Sequence, residues 1–96
     1  MTKSRNFPLN SDGREFAKYT MSVTVTMTGV AAHRIRRFEE FGLCNPARTG
    51  SNQRLFSDYD IELIREISDL ENDGINLAGI KTIMLMKHSK GNPRFR

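Results

Sequence analysis

The chain has 96 residues and a mass of 11.0 kDa, which excludes two full-sized domains and fits one modest core with a short arm at either end. Hydrophobic residues make up 38% and charged residues 27%, the mixture of an ordinary globular domain, and Cys44 is the single cysteine, so neither an intrachain disulfide nor a cysteine-based zinc site is available. A formal net charge of +4 and a pI of about 9.6 hint at a polyanionic partner.

Residues 1–18 have no clear period and hold Pro8, Asn10, Ser11 and Gly13. They read as a flexible arm, with a short helix over Arg14–Lys18 as an alternative. The first residues lack the apolar stretch of a signal peptide, and no apolar run is long enough to span a bilayer. The expectation is a cytoplasmic protein without a membrane partner.

Residues 21–28, Met-Ser-Val-Thr-Val-Thr-Met-Thr, alternate apolar and polar. The alternation and the β-branched run from Val23 to Thr26 favour a strand. The competing reading is a helix capped by Ser22 and ended by Gly29, with Val23 and Met27 on one face.

Residues 31–41 read as a helix. At about 100° per residue, Ile35 and Phe38 fall on the buried side, and His33, Arg36, Arg37 and Glu40 fall opposite. Gly42 and Leu43 close its end, and Asn45-Pro46 prevents continuation. Residues 46–56 suggest a hairpin around Gly50-Ser51-Asn52, with Arg48 and Arg54 on its two strands.

Ser57-Asp58-Tyr59-Asp60 is a helix start. The stripe Tyr59, Leu63, Ile67, Leu70, widened by Ile61 and Ile64, carries that helix to Asp73-Gly74, with Ile75 as the closing hydrophobe. Asn76 then caps a second helix with Leu77, Ile80, Ile83 and Met84 on one face. After Lys87 the chain is polar and basic and is expected to fray.

Charge is striped along the chain. Residues 31–56 carry Arg34, Arg36, Arg37, Arg48 and Arg54 against Glu39 and Glu40. Residues 57–75 carry Arg65 against Asp58, Asp60, Glu62, Glu66, Asp69, Glu71 and Asp73, and residues 76–96 carry bases alone. A polyanion bound by the first segment requires the acidic helix largely to face away; the bland alternative is that this helix is simply a solvated face. Arg65 is expected to pair within its own helix, with Glu62 or Asp69.

No catalytic constellation is present, and no enzyme activity, metal or cofactor is expected. His33 and His88 are isolated, the cap accounts for the Asp58/Asp60 pair, and there is no glycine-rich phosphate loop. Met84 and Met86 read as core or surface rather than a binding groove, and Cys44 as filler beside a turn. What remains is a short element, a glycine turn, a basic helix, a basic hairpin and two helices. That is the order of a winged helix-turn-helix, in which the second helix enters the major groove and the wing grips phosphate.

The anchors Thr28-Gly29-Val30, Ile35-Arg36-Arg37-Phe38-Glu39, Gly42-Leu43, Pro46-Ala47-Arg48 and Arg54-Leu55-Phe56-Ser57 resemble the DNA-binding domain of the MerR family. The resemblance covers residues 19–86. Within the family, Met21-Ser22-Val23 and residues 74–81 look most like the heat-shock-repressor branch, with the glutamine-synthetase-repressor branch second. The resemblance implies a mainly α fold, a winged helix-turn-helix with a small β-hairpin followed by a helix pair, and a helix rather than a strand over 22–28. It implies that Arg36 lies on the recognition helix, that Phe38 is the aromatic beside it and that Arg54 is the wing arginine on phosphate. With the residues read above, the candidate DNA contacts are His33, Arg34, Arg36, Arg37, Phe38, Arg48, Asn52 and Arg54.

Three departures stand out. Arg37 replaces a usual aromatic, so a charge replaces a ring contact. Ala31 and Ala32 replace the Ser and Pro that often begin the recognition helix, which weakens its capping. Up to Arg96 there is no counterpart of the long dimer helix and effector domain of many members, so either the chain is a truncated piece or its signal arrives through a regulatory protein partner. With no heptad run after Met86, a monomer or weak homodimer completed on palindromic double-stranded DNA is expected. A transcription regulator leads the functional readings; an excisionase-like DNA bender and a protein-interaction adaptor are the alternatives. Steep salt dependence of DNA affinity separates the first two from the third.

Overall fold

The structure is a computed structural model that describes residues 15–89. The elements run β1 (Ala17–Tyr19), α1 (Met21–Thr28), α2 (Ala32–Glu40), β2 (Ala47–Arg48), β3 (Arg54–Ser57), α3 (Asp58–Asn72) and α4 (Leu77–Ser89). The fold is mainly helical with one small antiparallel sheet of order β1-β3-β2. The flexible arm expected over 1–18 falls outside the described residues up to residue 14, and Ala17 and Lys18 are strand rather than arm or helix. β1 pairs with β3 through Ala17 opposite Ser57 and Tyr19 opposite Phe56. Tyr19 is tied down as well: its hydroxyl donates to Asp58 Oδ1 at 2.6 Å, contacts invisible to local pattern reading.

Over 21–28 the chain is helical, against the alternation and as the family resemblance implies. Two of its threonines spend their hydroxyls within the helix: Thr26 donates to the Ser22 carbonyl at 3.1 Å and Thr28 to that of Thr24 at 2.8 Å. The cap is Thr20, not Ser22; its Oγ accepts from Val23 N at 3.3 Å. Gly29, at φ 72°, ends the helix. Val23 and Met27 both face outward, while Thr24 is fully buried. The Thr24 hydroxyl has no hydrogen-bond partner among the described residues. Thr24→Val keeps the shape and removes a desolvated polar atom, so it is expected to raise stability by about 0.5–1.5 kcal/mol. The readout is a higher denaturant midpoint at constant slope; a lower midpoint would contradict it.

The ends of α2 and α3 close identically. Leu43 N donates to the Phe38 carbonyl at 2.9 Å and Gly42 N to that of Glu39 at 2.9 Å. Ile75 N donates to Leu70 and Gly74 N to Glu71, at 3.2 and 2.9 Å. Both are Schellman closures, with the glycine at φ 83° and 94°. α3 starts with a reciprocal capping box: Ser57 Oγ accepts from Asp60 N at 3.0 Å, and Asp60 Oδ2 accepts from Ser57 N at 2.9 Å. Asn76 Oδ1 caps α4 through Gly79 N at 2.8 Å.

The core is built from Val30, Ile35, Phe38, Leu43, Phe56, Ile61, Leu63, Ile64, Ile67, Ile80 and Met84. It joins α2, the sheet, α3 and α4 into one unit. Ile83 was expected on the buried face of α4 but is exposed, with Leu85 and Met86. α4 runs on to Ser89, two residues past the point after which fraying was expected; residues 90–96 of the basic tail lie outside the described residues. Cys44 is buried, and burial pushes its thiol up to about 12, so at neutral pH it stays protonated and packs as a small hydrophobe. No helix among the described residues is long and apolar enough to cross a membrane.

Candidate nucleic-acid interface

The helix-turn-helix is α1 and α2, and the wing is the β2–β3 hairpin. α2 starts at Ala31 without any side-chain cap, as its two alanines lead one to expect. Its C-terminal end has outside help: Lys81 of α4 donates to the Phe41 carbonyl at 3.2 Å, a cation at the negative end of the helix dipole. Gly42, at φ 83°, supplies the left-handed residue that this closure needs.

His33, Arg36, Arg37 and Glu40 form the exposed stripe of α2, the face that the helical spacing predicts. Arg36 has no hydrogen-bond or ion-pair partner among the described residues. Thr20, Met21 and Ser22 at the start of α1, Arg36 on α2, and Asn52, Gln53 and Arg54 of the wing border a cleft of about 490 Å³.

The wing turns as its residues dictate. Arg48 stands opposite Arg54. Thr49 N donates to the Gln53 carbonyl at 2.8 Å and Asn52 N to that of Thr49 at 2.9 Å, and Asn52 takes the left-handed conformation at φ 69°. This is a three-residue hairpin loop, with asparagine supplying the left-handed position.

One candidate contact is corrected, and a second is found paired within the protein. Phe38 is 0% exposed; it belongs to the core, and its ring cannot reach a duplex while the fold is intact. Arg34 is turned toward α3, where its guanidinium donates to Glu71 Oε1 at 2.6 Å and lies 3.4 Å from Ser68 Oγ. It also covers the Phe38 ring, 5.8 Å from its centroid. Arg34 is therefore a tie between α2 and α3. Arg37 donates to the other oxygen of Glu71 at 2.6 Å but stays about half exposed.

The acidic helix thus does not wholly turn away from the basic one, because Glu71 in its last turn accepts from two α2 arginines. Elsewhere it is matched by bases from other elements: Asp58 by Lys18 at 3.3 Å and Glu66 by Lys87. Arg65 reaches across to α1, donating to the Met27 carbonyl at 2.8 Å, a partner that the expected pairing within α3 did not include.

Sequence reasoning also passed over Thr20, Ser22 and Gln53, which border the cleft, and Glu39. The carboxylate of Glu39 accepts from Arg54 Nε at 2.6 Å and from an Arg48 terminal nitrogen at 3.1 Å. Burial alone would raise its pKa, but the hydrogen bonds and charges of Arg54 and Arg48 outweigh that and hold it below the usual carboxylate range. The only signal in the sequence was an acid lodged in a basic stretch.

With this geometry in place, comparisons with known proteins are informative. Residues 19–87 match the family described as MerR HTH family regulatory protein. The HTH-type transcriptional regulator GlnR of Bacillus anthracis is 38% identical over 82 residues, which cover 85% of this chain and 64% of GlnR. HspR of Streptomyces coelicolor, named as a heat shock protein, is 39% identical over 71 residues, covering 73% of this chain and 47% of HspR. The chain thus spans less than two thirds of either relative. Among solved structures, HiNmlR, a MerR family regulator lacking the sensor domain and bound to promoter DNA, superposes with a TM-score of 0.64 at 29% identity, over 68% of this chain and 50% of that one. A second MerR family regulator, from Bacillus cereus, shares the fold with a TM-score of 0.64 at 22% identity. The family match across most of the chain and the winged helix-turn-helix built from the same residues agree: this chain belongs to the MerR family.

Proposed function

We propose that this chain is a sequence-specific double-stranded DNA-binding domain of a transcriptional regulator. α2 lies in the major groove with Arg36 toward base edges, and the 46–56 wing holds phosphates. The observation that supports the reading is the cleft bordered both by Arg36, without a partner among the described residues, and by the wing Arg54. Arginine suits both tasks, as a bidentate fork for guanine and as a permanent charge for the backbone. His33, Arg37, Arg48 and Asn52 flank these two on exposed surface and are the further contacts proposed. Work on promoter DNA carries a cytoplasmic location with it.

Pairing on the DNA belongs to the same reading. Ile80 and Met84 are spent on the core, so α4 offers Ile83, Leu85 and Met86 as exposed apolar surface, well short of the roughly 800 Å² per partner of a stable interface. The reading therefore includes a weak homodimer completed on a palindromic site.

One experiment tests both parts. Duplexes are enriched from a random pool by the protein, and the enriched duplex and a scrambled one are then followed by sedimentation at micromolar protein. The expected result is a preference for the enriched duplex, binding that weakens steeply with salt, and two copies on a palindrome with mostly monomer in its absence. No enrichment and no salt-dependent binding would overturn the DNA reading. A tight dimer without DNA would overturn the pairing.

A further inference from the structure

A carboxylate among the arginines of a phosphate-binding wing is a cost. It cancels charge that attracts the duplex, so affinity alone would favour glutamine or alanine at position 39. What Glu39 does instead is geometric. It sits on α2, half-buried, and takes one hydrogen bond from each strand of the wing: Arg54 Nε at 2.6 Å and an Arg48 terminal nitrogen at 3.1 Å. Arg48 is held at a second point, since its other terminal nitrogen donates to the Asn52 carbonyl at 3.1 Å. The recognition helix, both wing strands and the wing loop are thereby joined through one carboxylate. Arg54 is gripped by its Nε, which leaves both its terminal nitrogens without a protein partner among the described residues. The hairpin itself is short, two residues on one side and four on the other, and has little packing of its own near the tip to set its angle.

We propose that Glu39 is a positioning residue for DNA recognition: its carboxylate, shared between Arg48 and Arg54, sets the wing against α2 so that the wing arginines meet the phosphates in register with the base contacts of Arg36. This rests on the DNA-binding reading above. Phosphate contacts fix register and orientation without reading sequence. Loss of the tie therefore leaves the wing its charges but takes away their preset geometry. Non-specific binding, which needs charge alone, gains from the removed acid. Specific binding loses the preorganisation that kept its ordering cost low.

The test compares Glu39→Gln, Glu39→Asp and Asp69→Asn on the enriched and the scrambled duplex, with thermal melts of each variant. Asp69 is exposed on α3, outside the proposed interface, and its substitution removes one negative charge without touching the wing or α2. Asp69→Asn is expected to raise affinity for both duplexes by the same factor, at most about twofold. Glu39→Gln is expected to raise the scrambled duplex likewise while lowering the enriched one, so that their ratio falls roughly tenfold. Glu39→Asp keeps the charge but is one methylene too short for both arginines; it is expected to lower the enriched duplex and leave the scrambled one unchanged. Parallel gains on both duplexes for Glu39→Gln would make Glu39 a mere charge and overturn the proposal. Failure of both Glu39 variants to fold would make it a folding residue and overturn it too. A wild-type protein without any duplex preference would instead refute the DNA-binding reading itself.

Discussion

Phe38→Ala is expected to cost about 3–5 kcal/mol of stability, the range for truncating a fully buried aromatic. The ring is 0% exposed and lies in one cluster with Ile35, Phe56, Ile64 and Ile67, so it joins α2 to β3 and α3. A single domain has only about 5–15 kcal/mol in total, and a small one lies toward the low end. The substitution therefore consumes much of what holds the recognition helix in place. Denaturant unfolding reads it directly, and a loss below about 1 kcal/mol, typical of surface sites, would contradict the burial. Phe38→Leu supplies the functional half of the test. It keeps most of the packing and removes the ring, so DNA affinity should survive wherever the protein is folded. A folded Phe38→Leu that had lost DNA affinity tenfold would restore the aromatic contact that the structure rules out.

Arg36→Ala is expected to cost about 1–3 kcal/mol of affinity for the enriched duplex and much less for a scrambled one, the signature of a lost bidentate base contact. Arg36 stands on the exposed face of α2 without a partner among the described residues, so its removal costs the fold nothing comparable. Arg54→Ala should behave differently. As the proposed phosphate contact it weakens both duplexes and lowers the salt slope by about one, and because it also removes one arm of the Glu39 tie it weakens the enriched duplex the more. Binding curves at several salt concentrations on both duplexes separate the two roles. Equal losses on every sequence with identical slopes would refute the division of labour. Arg34→Ala makes a useful contrast: Arg34 pairs with Glu71 on α3 and covers the Phe38 ring, so its loss is expected to lower stability, read as a lower denaturant midpoint.

Much of this molecule is legible residue by residue. Gly42-Leu43 and Gly74-Ile75 mark two helix ends, Ser57 with Asp60 and Asn76 mark two starts, and Gly50-Ser51-Asn52 marks the wing turn; all act as read. The outward stripe of His33, Arg36, Arg37 and Glu40 follows from helical spacing. These features are interactions closed within about six residues, so the chemistry that creates them is written in adjacent letters. Other features have their cause elsewhere in the chain. Residues 21–28 have nearly balanced local preferences, and packing of Thr24 into the core settles them as helix. Residues 17–19 are a strand because β3 offers an edge and Asp58 a partner to Tyr19. Arg34, Arg65 and Lys81 reach Glu71, the Met27 carbonyl and the Phe41 carbonyl across separations of 37, 38 and 40 residues. Long charged side chains meet many acceptors within their own helix at nearly equal free energy. Which acceptor each one takes is set by where the assembled core brings the next element, and so the tie between Glu39 and the wing arginines becomes visible only once α2 and the hairpin stand side by side.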